Sequence, residues 1–353
     1  MKWRRLRLVV ASPLHVGAKQ PLTELDYAVS GNIAHILSPN AWIEWLSEQH
    51  VLEAFAAAQL QGQSPQQFLA QALAGARPPW KNLSHYSLTI MHGSPRGPVR
   101  PFVRDPWHRP YLPGSTLKGA LRTALLAYWT LANPQAVETT IRELLPAAKH
   151  PAQVVAPLEE RIYRDHTPAP LPGAMPKPLQ ELKVRDSEPL PMEAVALYPV
   201  EVWLLRPDGS RYQRAQIWAE CLVPGTVIST AVALDGPGLD ETVLYEAITR
   251  WGHHHWSQEA AWTRRLPRQD EAADTLRAFY EASPPAQPLR LGWGSGWAAL
   301  GLGSLLSPET RQPFRSSRLS GIGSPQFPRS RRVAIGEGGS GWPLGWLQLE
   351  LPS

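Results

Sequence analysis

PYLPGSTLKGALRTALLAY, residues 110–128, marks a helix and the chemistry expected at its start. Pro113-Gly114 makes a turn and Ser115 is a favoured N-cap, after which Leu117, Leu121, Ala124, Leu125 and Tyr128 recur on one helical face. A capping box would place Glu or Gln three residues after the cap. This chain has Lys118 there, a cation at the positive end of the helix dipole. Free backbone N–H groups, the dipole, Lys118 and, one turn later, Arg122 together suit a phosphate. The same spacing also describes the solvated basic edge of an ordinary amphipathic helix.

The 353 residues suffice for about two domains, each with its own apolar core. Cys221 is the sole cysteine, which excludes an internal disulfide and a multi-cysteine metal site and fits a reducing cytosol. The apolar stretch after Lys2-Trp3-Arg4-Arg5 is too short for a secretory leader, and no apolar run reaches the ~18–20 residues of a membrane span, so a cytoplasmic, membrane-free protein is expected. Lys and Arg number 35 against 30 Asp and Glu, a net charge of +5. Its placement is uneven. Arg311, Arg315, Arg318, Arg329, Arg331 and Arg332 follow one another between 310 and 336 with no acidic residue among them. Arg96, Arg100, Arg104 and Arg109 face only Asp105 between 91 and 109. Both clusters suit phosphate, and both also suit solvated loops.

Trp3 to Val10 alternates apolar Leu6, Leu8 and Val10 with Arg5 and Arg7, which predicts a strand. A short strand near 33–37 precedes two helices, one capped by Asn40 and carrying Trp42, Trp45, Leu46, Leu52 and Phe55, the other capped by Ser64 and carrying Phe68, Leu69 and Leu73. They read as an insertion. A strand is expected over 86–91, then the helix of 115–128. The many prolines from Pro134 to Pro191 predict little regular structure, with 150–178 as an excursion and 182–187 as a returning strand. Strands at 200–205, 216–222 and 226–234, the first two flanking a Pro207-Asp208-Gly209 turn, precede helices at 240–254 and 269–281, a glycine-rich loop over 291–303 and a last strand at 346–351. The pattern is α+β, a sandwich of sheet and helix built twice.

At PYLPGSTLKGALRTALL the chain resembles the RAMP superfamily of CRISPR-associated proteins. SPLHVG (12–17), LDYAVSG (25–31), LKVRDSEPL (182–190), LGWGSGW (291–297) and the Arg331-Arg332 to Trp346 ending extend the likeness over nearly the whole chain. Their order and spacing are similar to the fifth-subunit family of the Csm complex, the type III-A effector of prokaryotic antiviral immunity. The resemblance implies two ferredoxin-like (RRM-like) domains: 1–192, with the helical insertion at about 40–76 and the proline-rich excursion, and 193–353, with the glycine-rich loop. It also implies crRNA and a backbone RAMP subunit as partners, with the small helical subunit and target RNA as further ones, and a capping position at the crRNA 3′ end. The RNA-facing residues are then Ser115, Lys118, Arg122, His15, Arg104, Arg185, Arg290, Gly292, Trp293, Gly294 and Gly296. The glycine loop departs from the family pattern in having no Lys or Arg inside it, which leaves backbone N–H groups and stacking by Trp293 or Trp297.

No cofactor is implied. The glycine loop fails the Gly-x-Gly-x-x-Gly fingerprint at Ala299, and no phosphate-binding Gly-Lys-Ser/Thr loop exists. His253-His254-His255 are consecutive on a helix and do not converge on one metal. Asp26 and His15, between the first strands, are the only catalytic candidates, as aligner of an RNA 2′-hydroxyl and proton shuttle in an endoribonuclease. The bland alternative for Asp26 is a loop carboxylate bonded to its own backbone. A non-catalytic RNA-binding subunit is the expectation.

Overall fold

The computed structural model describes residues 2–72, 78–149, 151–166, 181–206, 210–234, 239–268, 270–299, 301–311 and 330–350. In chain order the strands are β1 (Trp3–Val10), β2 (Tyr27–Ser30), β3 (Ile33–Leu37), β4 (Ser84–Thr89), β5 (Val99–Arg100), β6 (Leu182–Val184), β7 (Val195–Leu205), β8 (Arg211–Leu222), β9 (Val227–Leu234), β10 (Pro288–Arg290), β11 (Ser330–Ile335), β12 (Gly341–Pro343) and β13 (Trp346–Glu350). The helices are α1 (Pro39–Glu48), α2 (Leu52–Leu60), α3 (Pro65–Ala72), α4 (Trp80–Leu83), α5 (Gly114–Ala132), α6 (Pro134–Leu144), α7 (Val155–His166), α8 (Glu241–Thr263), α9 (Glu271–Glu281) and α10 (Gly296–Ala299).

Three sheets organise these elements. The first runs β10-β13-β1-β9-β6 and is antiparallel throughout; the second runs β12-β11-β7-β8-β5, with only β5 and β8 parallel; the third is the antiparallel β2-β3-β4. Each of the two large sheets draws strands from both sides of residue 192. β1 follows the alternation of its sequence: Leu6, Leu8 and Val10 are buried, Arg5 and Arg7 exposed. The buried row meets Leu117, Leu121 and Leu125 of α5 and Leu244 and Ile248 of α8 in the main core, each leucine contributing about 1.5–3 kcal/mol. The far end of α8 turns to the second sheet. There Trp256 and Ala260 pack with Leu276 and Tyr280 of α9, Trp203 of β7 and Val333 of β11.

The expected helical insertion lies between β3 and β4 as α1 to α4, around a core of its own that includes Trp42, Trp45, Leu46 and Phe68. Ser64 and Gln67 exchange side-chain to backbone bonds at the start of α3, a capping box. Asn40 is not a cap: α1 begins at Pro39 behind Ser38, because proline is preorganised for the first helical position. Leu52 and Phe55 sit on α2, separated from α1 by His50 at φ 58°.

The proline-rich region is more regular than its composition predicts. Pro134 occupies the first turn of α6, where Asn133 accepts the Ala136 N–H, and Pro157 falls in the first turn of α7. At such positions the missing N–H has no helical partner to lose. Part of the expected excursion, 167–180, lies outside the described residues, as does the 207–209 turn. No described helix is long and apolar enough to cross a membrane.

Ser115 does not cap α5. The helix starts one residue earlier, behind Pro113, and the Gly114 N–H donates to Asp186 Oδ1 at 2.7 Å. Glycine is required at 114 because a Cβ there would meet the carbonyl oxygens of Val184 and Arg185 at 2.6 and 2.7 Å. The helix start is thereby seated on the end of β6, and the anion that its dipole favours is partly supplied by the chain itself.

Candidate nucleic-acid interface

Seating α5 on β6 turns its first two turns toward the glycine-rich loop, although 169 residues separate Gly292 from Thr123. The two motifs enclose a cleft of about 470 Å³. Ser115, Thr116, Gly119, Ala120, Arg122 and Thr123 line one wall, Leu291, Gly292 and Trp293 the other, and Glu159 of α7 closes one side. Arg122 is ion-paired with Glu159. Lys118 is half-buried, has no ion-pair or hydrogen-bond partner among the described residues, and does not line the cleft.

The glycines of the loop serve the protein more than a ligand. Gly292 (φ 82°) lies against the His15 carbonyl, which a Cβ would meet at 2.5 Å, and Gly294 (φ 100°) lies against Leu344. Gly296 and Gly301 face open space. The Trp297 side chain lies outside the described residues. The Trp293 N–H donates to the His15 carbonyl at 2.8 Å, and the two rings meet edge to face at 5.4 Å. Over the same indole lie two guanidiniums the loop itself lacks: Arg100 of β5 at 4.8 Å and Arg332 of β11 at 4.7 Å.

His15 is fully buried, and its Nδ1–H donates to the Glu220 carbonyl at 2.7 Å while Nε2 has no partner. Burial pulls its pKa down to about 4, against the Glu220 hydrogen bond and helped by nearby Arg100. The ring is neutral and enclosed, a packing element beneath Trp293 rather than a proton shuttle. Asp26 accepts from Thr23 N at 2.6 Å and Thr23 Oγ1 at 2.7 Å, closing its own turn. The two catalytic candidates share no partner.

Arg104 and Arg290, expected to face RNA, are structural. Arg104 is buried, bonded to Glu220 at 2.8 Å and stacked 3.8 Å over Tyr86. Glu220 also accepts from the Tyr86 hydroxyl at 2.8 Å and the Phe102 N–H at 2.9 Å, so this carboxylate on β8 ties three segments together. Arg290 donates to the Leu344 carbonyl at 2.9 Å and lies 3.3 Å from Glu259, which Arg331 grips through Nε at 2.9 Å. Burial pushes the Glu259 carboxyl up, but the Arg331 and Arg290 guanidiniums outweigh it and hold the group well below the usual range. His255, the innermost of the three histidines, belongs to this cluster, and burial takes it down to about 4. No group of three or more metal-ligating side chains occurs among the described residues.

Arg185 is exposed and stacks 4.2 Å over Trp3. Both line a second groove, about 730 Å³, with Arg5, Arg7, Glu188 and the Asp186 that accepts from the α5 start. Of the late arginine cluster, Arg311 bonds the Leu306 and Ser304 carbonyls, while Arg315, Arg318 and Arg329 lie outside the described residues.

Sequence reasoning missed Glu220 and Glu259 as organising residues, and it named Arg100 and Arg332 within its arginine clusters without foreseeing that they meet over Trp293. Glu220 had a signal, a lone acid inside the apolar run Trp218-Ala219-Glu220-Cys221-Leu222, because an acid in a buried strand needs a cation.

A family model for the RAMP superfamily matches residues 7–299. Among solved structures, a chain of the cryo-electron-microscopy Csm–crRNA–target RNA ternary complex of a type III-A CRISPR-Cas system superposes with a TM-score of 0.71 at 24% identity, over 98% of this chain and 100% of that one. The crystal structure of T. onnurineus Csm5 gives 0.64 at 22% identity, over 97% and 99%. At these identities what is shared is the fold. No curated protein matches.

Proposed function

This chain belongs to the RAMP superfamily, and from that premise we propose that it is a crRNA-binding structural subunit of a type III-A Csm ribonucleoprotein, built on two ferredoxin-like units and terminating the backbone filament at the crRNA 3′ end. The carrying observation is the cleft in which the Ser115–Arg122 helix turns and the Leu291–Trp293 loop face each other. A helix N-terminus, a guanidinium and an indole on opposing walls suit a single strand, phosphate to one side and base to the other. The full-length likeness to a chain of a Csm–crRNA–target RNA complex and to a Csm5 supports the assignment. A binding role is favoured over cleavage because His15 is sealed in the core and Asp26 is spent on its own turn.

The test is to purify the protein within its complex, extract the nucleic acid and sequence it, alongside ultraviolet cross-linking. Enrichment of crRNA, with cross-links from its 3′ portion to 115–122 or 291–293, is expected. Complexes without RNA attached to this subunit would overturn the reading. Incubation of the wild-type protein with labelled precursor and target RNA should leave both intact, and cleavage lost in Asp26→Ala would restore the nuclease alternative.

A further inference from the structure

Arginine stacked on an aromatic ring is common in this protein, and how each stack is neutralised separates two kinds. Ten such stacks occur among the described residues; in six the guanidinium also holds a carboxylate, as Arg104 holds Glu220, Arg211 holds Glu201 and Asp270, and Arg290 holds Glu259. Those six are closed ion pairs with a ring as backing. Arg100 and Arg332 are different in two respects: neither has a carboxylate within 4 Å among the described residues, and both lie over one ring, Trp293.

The fold forces this pairing. β5 reaches the second sheet through β8, with Arg100 opposite Ala219, while β11 enters it through β7, with Arg332 opposite Val202, and Trp293 packs on the same sheet beside Leu344. Arg332 is half-buried, and its Nε is enclosed without a hydrogen-bond partner. Burial, and then the Arg100 charge, pull its pKa down. Two like charges are thus held together at a cost, and the third charged-capable ring in reach, His15, is neutral. Such an arrangement is complete only with an anion. Planar guanidinium forks match phosphate oxygens, and because Trp293 also lines the cleft, a strand bound there passes beside both guanidiniums.

We propose that Arg100 and Arg332, gathered at Trp293 on the rim of the cleft, form a seat for one backbone phosphate of single-stranded RNA. The assignment rests on the RNA-binding reading above and extends the bound path beyond the α5 start onto the second sheet. It also answers the lack of a cation inside the glycine loop: the cations come from β5 and β11.

The experiment uses the full chain and a fluorescein-labelled twelve-uridine RNA, with anisotropy titrations between 50 and 300 mM KCl. Arg100→Ala, an exposed change that spares the core, should weaken binding about fivefold to tenfold at 100 mM and lower the slope of log K against log salt by about 0.7, the release expected for one single-strand phosphate contact. Arg100→Ala/Arg332→Ala should lose at least as much, and Arg100→Lys/Arg332→Lys should recover the slope but not the full affinity, since lysine keeps the charge without the fork. Thermal melting of each variant confirms that it is folded. Wild-type protein that binds RNA while folded Arg100→Ala binds with the same affinity and slope overturns this seat alone. Wild-type protein that binds no RNA, alone or in its complex, overturns both the seat and the functional reading.

Discussion

The backbone of Trp293 hangs on the backbone of His15, N–H to carbonyl at 2.8 Å, while the His15 ring supports the indole from below. The loop after the first strand therefore positions the glycine-rich loop near the other end of the chain, and the ring that faces the cleft stands on a neutral imidazole.

That imidazole gives a pH dependence. His15 and His255 both have folded pKa values of about 4, below the unfolded value of 6.5. Between pH 6.5 and 4 the unfolded chain takes up protons that the folded chain refuses, so stability falls as pH falls. From pH 7.5 to 5 each histidine should remove about 2 kcal/mol. Circular-dichroism melts should show a melting temperature lower by several degrees at pH 5, and an unchanged value would contradict the burial of both rings.

Glu159 sits in the cleft paired with Arg122 and competes with any phosphate for it. Glu159→Gln frees the guanidinium and removes a negative charge. RNA affinity at 100 mM salt should rise about twofold to fivefold, in keeping with the ~0.3–1 kcal/mol of an exposed pair. Lys118→Ala/Arg122→Ala should lower crRNA occupancy in the purified complex and flatten the salt dependence by up to about two phosphate contacts.

Glu220 is expected to matter for stability far more than for binding. Its loss in Glu220→Ala leaves Arg104 buried without a counter-charge and frees the Tyr86 hydroxyl and the Phe102 N–H, a cost of about 3–5 kcal/mol in denaturant unfolding. Arg104→Met should destabilise without changing the RNA salt slope, which separates it from Arg100.

Gly114→Ala tests the seating of the helix start. Its Cβ would collide with two backbone carbonyls, so α5 must lift from β6 and release Asp186. A loss of roughly 1–3 kcal/mol is expected, with weaker RNA binding, because the cleft wall moves with the helix.

What the sequence made legible was periodic or local. The alternation in Trp3–Val10 and the apolar stripe of Leu117, Leu121 and Leu125 gave β1 and α5, and Ser64 marked its helix correctly. Composition misled where position mattered: Pro134 and Pro157 read as breakers until their first-turn placement is known. At the site, the two motifs were found but not which arginines remain available. That depends on carboxylates far along the chain, 116 residues away for Arg104 and 72 for Arg331. No local pattern distinguishes Arg331, spent on Glu259, from its neighbour Arg332, which is not.

The central place of β1 in the first sheet has a biosynthetic consequence. Ala11 and Ser12 bond the Trp346 carbonyl, Gly345 bonds Pro13, and Leu291 of the glycine loop hangs on Gly345, so the two ends of this fold are one structural joint. A nascent chain holding its first 300 residues already carries both motifs and the His15–Trp293 bond, yet lacks the Gly345 bonds to Pro13 and Leu291. The joint at Gly345 is therefore among the last ties to form as the chain is made, and until then the backbone of the glycine-rich loop is held to the start of the chain, among the described residues, through His15 alone.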